Sequence, residues 1–165
     1  MCTIHGMNSP YVNEEPAEHR RFARHLKALE AVAEVSEAEL VAAVLRDEDA
    51  AMANSAVLRH LDRRAAGLLA GPRFTAWAQA LAEVIARRGF LTLRLREWTL
   101  LHTIALGGPW DAESLTGASD WLQRRVTSTD EITSVEALRV LATQARTRRV
   151  RHAASVRLRH AGRLD

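Results

Sequence analysis

The run GFLTLRLREWTLLHTIAL, Gly89 to Leu106, is the least polar stretch of the chain. At about 100° per residue on a helix, Phe90, Leu93, Leu101, Ile104 and Ala105 fall on one side, and Leu91, Leu95, Trp98 and Leu106 on the adjoining side. Only Thr92, Arg96, Thr99 and Thr103 form a polar strip. Such a helix is expected to be enclosed by several neighbours, because each large apolar side chain left in water forgoes about 1.5 to 3 kcal/mol. It does not read as a membrane span: Arg94, Arg96, Glu97 and His102 interrupt it, and a bilayer helix needs about 20 predominantly apolar residues. Arg94 and Glu97 stand three apart beside the apolar side, the spacing of a structural ion pair.

A central rod of this kind needs enough chain around it to bury it. The 165 residues suit one domain, and 47% hydrophobic with 26% charged side chains is the balance of a globular protein. Residues 1–13 carry no periodic pattern and read as a flexible N-terminal segment, leaving 14–163 as a single all-helical domain. One cysteine, Cys2, allows no internal disulfide, and no basic start or long apolar stretch marks an export signal. The expected location is therefore the cytoplasm. Of the 23 basic residues only Lys27 is lysine, a bias that with abundant alanine points to GC-rich bacterial coding before it points to function.

Apolar spacing places the other helices. A stripe of Phe22, Leu26, Leu29 and Ala33 predicts a helix from about Glu14. Ser36 with Glu39 forms a capping box before Leu40, Val41, Val44 and Leu45. Asp47, Glu48 and Asp49 suit the positive end of a helix containing Ala53, Ala56, Val57 and Leu61. After Gly71-Pro72, the side chains Phe74, Trp77, Ala78, Leu81 and Ile85 step by three and four. Gly108-Pro109 ends the central helix, and Asp111 or Ser114 opens one helix through Leu115, Ala118, Trp121 and Leu122. Thr133 with Glu136 precedes a stripe of Val135, Leu138, Leu141 and Ala145, and Thr147 opens a last helix with Val150, Ala154, Leu158 and Ala161 inward. No segment alternates like a strand, so the expectation is all-α, with about seven or eight helices.

The two Gly-Pro pairs lie about 37 residues apart, and Ser36 precedes Pro72 by nearly the same interval, the period of stacked helical hairpins. The units would be 36–71, 72–108 and 109–145. RDEDAAMANSAVLRHL (46–61) and RTRRVRHAASVRLRHA (146–161) resemble the second helix of HEAT-type repeats, in which an acidic turn precedes a Val-Arg pair and then small residues where helices approach: the first stretch keeps the acidic turn with Met52-Ala53 in place of the pair, and the second keeps the pair as Val150-Arg151 with Thr147 in place of the acid. The resemblance implies a HEAT-like α-solenoid, a right-handed superhelix of antiparallel helix pairs whose concave side commonly binds proteins and less often nucleic acid. It implies no chemistry. A compact helical bundle is the structural alternative.

The search for reactive motifs assigns nothing. The only lysine lacks a glycine-rich loop, no two histidines have the spacing of helical zinc hydrolases, and no nucleophile elbow occurs. Cys2 and His5 have ligand-like spacing on a terminal segment. His60 and His102, near apolar flanks, read as hydrogen-bonded core residues. No catalytic, cofactor-binding or metal residues are assigned, and the chain reads as non-enzymatic.

Charge carries the remaining information. Residues 1–50 hold 5 basic and 10 acidic side chains, residues 121–165 hold 10 and 4. The expected function is a scaffold or regulatory module binding a partner protein through Arg59, Arg63, Arg148, Arg149, Arg151 and Arg159. The alternative is a nucleic-acid-binding protein using the same basic C-terminal helix. The charge gradient also fits head-to-tail self-association.

Overall fold

The computed structural model describes residues 16–161; the expected flexible segment 1–13, the helix start near Glu14 and the Cys2–His5 pair lie outside them. The described residues form α1 (Ala17–Ala31), a 3-10 turn (Glu34–Ser36), α2 (Glu37–Val44), α3 (Ala50–Leu68), α4 (Phe74–Ile85), α5 (Gly89–Ala105), α6 (Ala112–Gly117), α7 (Asp120–Ser128), α8 (Val135–Gln144) and α9 (Arg148–Ala161), with no strand among them.

Side-chain caps start several of these helices. Asp49 accepts the Met52 amide at 3.0 Å, Asp111 the Ser114 amide at 2.7 Å, Ser119 the Leu122 amide at 3.3 Å and Ser134 the Ala137 amide at 3.2 Å. Ser36 precedes α2 without capping it, because the 3-10 turn has already folded there. The Ser119 cap explains why nine α-helices are described and not seven or eight: Ala118 is extended, so the single helix expected from Asp111 to Leu122 splits into α6 and α7. Position 107 closes α5. Gly107 has φ 66°, its amide bonds Ile104 O at 3.1 Å, and the Gly108 amide bonds Thr103 O at 2.9 Å. That double bond needs a left-handed residue, which glycine adopts without strain.

Helices of odd number pack in sequence, α1 on α3, α3 on α5, α5 on α7 and α7 on α9, while α2 packs on α4 and α6 on α8. The units 36–71 and 72–108 each hold two helices, but 109–145 holds three, and α8 pairs most closely with α9. One core runs through the stack. Leu29, Leu61, Phe74, Leu81, Leu91, Trp98, Leu101, Leu115, Leu122 and Leu141 are all sealed from solvent.

The central helix corrects one expectation. Leu91, Leu95, Trp98, Leu101 and Ile104 are buried, yet Phe90 is 59%, Leu93 49% and Leu106 57% exposed. The rod is enclosed on one side only. α6 has six residues against seventeen in α5, and no packing comparable to α2 on α4 joins α4 to α6.

Arginines end several helices. Arg63 donates to Leu29 O in the last turn of α1 at 3.0 Å, Arg88 to Leu45 O at the end of α2 at 2.6 Å, and Arg151 to Ala145 O at the end of α8 at 2.6 Å. Arg157 donates to Val126 O, Thr129 O and Ile132 O at 3.1, 3.0 and 2.8 Å, closing α7. Each guanidinium meets carbonyls at or just beyond the negative end of a neighbour, and of these Thr129 O also accepts the Ile132 amide at 3.2 Å. Arg157→Met, which keeps the buried stem and leaves Val126 O and Ile132 O without this donor, is expected to lower stability by about 1 to 3 kcal/mol; an unchanged urea midpoint would remove the clamp from the account.

Candidate partner-binding surface

The most enclosed carboxylate among the described residues is Glu37, 2% exposed at the start of α2. His60 Nε2 and Trp77 Nε1 each donate to its Oε1 at 2.8 Å, and Arg64 Nε donates to both oxygens at 3.1 and 3.0 Å. Burial by itself would raise this carboxyl, but the donors from His60, Arg64 and Trp77 outweigh it and hold Glu37 at about 2. Arg63 Nη2 reaches His60 Nδ1 at 3.3 Å, so the neutral ring carries its proton on Nε2 and both nitrogens are engaged. No hydroxyl or thiol bonds either histidine among the described residues; His102 Nδ1 meets Leu69 O and its ring stacks on Phe74 at 4.3 Å. These are the bonded core histidines that the sequence suggested. The network orders a core and offers no free base.

A second cluster joins α3, α5 and α7. Trp98 Nε1 donates to Asp62 Oδ1 at 2.7 Å, and Arg94 Nη1 to Asp62 Oδ2 at 2.8 Å. Arg94 lies 3.7 Å over the Trp121 ring, and Trp98 meets Trp121 edge-on at 5.3 Å. The expected Arg94–Glu97 contact is present at 3.9 Å but is secondary to Asp62, and Glu97 Oε1 instead accepts the Ser119 amide at 2.9 Å. Among the described residues no three His, Cys, Asp or Glu side chains could hold a metal ion, and no helix is long and apolar enough to cross a membrane.

The six arginines read as partner-binding divide by position. Arg59 and Arg63 lie on α3, the other four on α9, with α5 and α7 stacked between. Arg63 and Arg151 are anchored to carbonyls as above. Arg59, Arg148, Arg149 and Arg159 are exposed and make no ion pair or hydrogen bond among the described residues. On α9, Arg148, Arg149, His152, Arg159 and His160 are exposed within an arc of about 120°, opposite buried Val150 and Ala154. Arg148 and Arg159 are about 16 Å apart along the axis at 1.5 Å per residue.

The acidic excess of the N-terminal third is largely engaged within the fold. Glu34 pairs with Arg73 at 2.8 Å, Glu37 is enclosed, and Asp47 holds Arg21 at 3.3 Å and His25 at 2.9 Å. His25 first, then the Asp49 amide, keep Asp47 below the usual carboxylate range against a smaller opposing effect of burial. None of the five α9 arginines is in an ion pair among the described residues.

Glu37 was missed by sequence reasoning, although it stands four before Val41 and seven before Val44, in line with buried positions. A carboxylate on an apolar stripe was the available signal. The carbonyl clamps carried no comparable signal, because Arg63, Arg88 and Arg157 reach acceptors 34, 43 and 31 residues away. Comparison with protein-family models, with curated proteins and with solved structures finds no match to this chain.

Proposed function

We propose that this chain is a non-enzymatic interaction module, a HEAT-like stack of helix pairs that binds an acidic segment of a partner protein through the arginine face of α9. The solenoid reading is supported by the sequential packing of α1, α3, α5, α7 and α9. The observation that carries the binding reading is the charge at the start of α9. α1, α2, α6, α7 and α8 each place an acidic residue in the first turn; α3, α4, α5 and α9 do not, and of the described helices only α9 opens on two arginines, Arg148 and Arg149. A cation in that position opposes the helix dipole by about 0.3 to 1 kcal/mol. Two cations against the positive end of their own helix, on a face with no ion pair among the described residues, support the reading of that face as a site for an anionic partner.

The test compares the protein with the variant Arg148→Glu, Arg149→Glu, Arg159→Glu. Arg151 is kept, since it closes α8. Exposed charge pairs contribute about 0.2 to 1 kcal/mol each, so binding of a labelled glutamate-rich peptide is expected to weaken about tenfold or more in the variant, with unchanged helix content, and to weaken in the parent as salt rises. Equal binding by parent and variant overturns the site. Much tighter, steeply salt-dependent binding of duplex DNA than of the peptide would transfer the face to nucleic acid.

A further inference from the structure

The open side of α5 is a second surface, separate from α9. Between α4 and α5 lies a cleft of about 490 Å³ walled by Phe74, Ala78, Ala82, Ile85 and Leu95. Between α5 and the α6–α7 corner lies another of about 900 Å³, walled by Leu93, Leu100, Thr103, Ala118 and Leu122. Both include Arg96 and Thr99, so they form one groove crossing the outer side of α5 where the even-numbered layer is interrupted.

The polar groups in it are unequal. Arg96 is exposed at the junction of the two clefts and makes no ion pair or hydrogen bond among the described residues. Two of the acids along it have other duties: Glu97 is bonded to Ser119 and lies near Arg94, and the Asp111 carboxylate accepts the Ser114 amide and hydroxyl at 2.7 and 2.6 Å, capping α6, while Glu113 and Arg146 stand exposed on the far side of the larger cleft. Along α5 the floor is thus Leu93 and Leu100 on either side of Arg96, with Thr99 and Thr103 beside them. Those positions follow helical spacing, which a second helix can match with side chains at i, i+3 or i+4, and i+7. A groove open along its length encloses too little of a small molecule to hold it.

We propose that this groove receives an amphipathic helix of a partner protein, which supplies the missing cover over α5 and places a carboxylate against Arg96. The charge of Arg96 where the two clefts meet, with Glu97 and Asp111 already engaged and Arg146 offsetting Glu113, selects the acidic helix, and the interruption between α4 and α6 selects a helix as the element that fits. The proposal stands apart from the arginine face of α9, and neither test depends on the other.

The probe is a labelled 18-residue helical peptide with a leucine stripe and one central glutamate, titrated against the full chain by fluorescence anisotropy. Saturable binding is expected, about tenfold weaker for a peptide with lysine in place of that glutamate and about tenfold weaker for Leu93→Asp protein. Arg96→Glu protein is expected to reverse the preference and bind the lysine peptide better, a reversal that damaged folding cannot produce. Equal affinity for the two peptides, or an unreversed preference in Arg96→Glu, overturns the proposal. A dimer by light scattering that dissociates in Leu93→Asp would make a second copy the occupant, and displacement of the probe by a synthetic peptide of residues 1–15 would make it the chain's own segment; either result also overturns it.

Discussion

Glu37→Ala is expected to lower the stability of the folded state by about 3 to 5 kcal/mol, the cost of breaking a buried charged network by removing one partner. Trp77 Nε1, His60 Nε2 and Arg64 Nε all point at this carboxylate, so alanine leaves enclosed donors without an acceptor. The titration leads to a similar size. With the carboxyl held near 2 in the folded protein against 4.5 as its ordinary value, ionisation of Glu37 contributes about 3 kcal/mol at neutral pH. Because the folded value is the lower one, this contribution is complete above 4.5 and is lost as pH falls from there toward 2. The gap in urea midpoint between wild type and Glu37→Ala is therefore expected to stay wide from pH 7 to 5 and to narrow below 4.5. A gap that keeps its width through the acid range would show that the carboxylate charge is not what the three donors stabilise.

Trp98→Ala is the other large effect, a loss of about 3 to 5 kcal/mol, as for other buried tryptophans cut to alanine. The side chain is 1% exposed, donates to Asp62 on α3, and meets Trp121 on α7 edge-on, with the Arg125 guanidinium 5.1 Å from its ring. It joins three consecutive helices of the odd-numbered stack. Trp98→Phe keeps most of the volume and the ring contact but drops the bond to Asp62, so about 1 to 2 kcal/mol is expected for it. Denaturant midpoints that fail to rank wild type above phenylalanine above alanine would refute this account of the junction. Because Trp98 sets how α5 rolls against α3 and α7, it also sets which side of α5 faces the groove.

Much of the helical plan was legible because it rests on short-range physics. The stripe Phe74, Trp77, Ala78, Leu81 and Ile85 is buried throughout, and so are Ala53, Ala56, Val57 and Leu61 of α3. Caps at Asp49, Asp111 and Thr147 act within three residues, so the local sequence contains them. The break at Ala118 was less legible, since a serine after a small apolar residue reads equally as helix interior. The candidate arginines show the same limit. All six were visible as basic residues, but that Arg63 and Arg151 are held by carbonyls while Arg148, Arg149 and Arg159 meet no partner among the described residues depends on where other helices end.

The amino-acid sequence by itself determined that this chain is helical, where several of its helices begin, and for α3 and α4 which stripe turns inward, since periodicity and capping act over three or four residues. Only the tertiary structure decided that α5 is covered on one side, that arginines close the ends of distant helices, and that Glu37 gathers three donors from α3 and α4. Those outcomes depend on which surfaces meet across 20 to 40 residues of chain, and a sidedness within one helix carries no information about the length of the helix that will be laid against it.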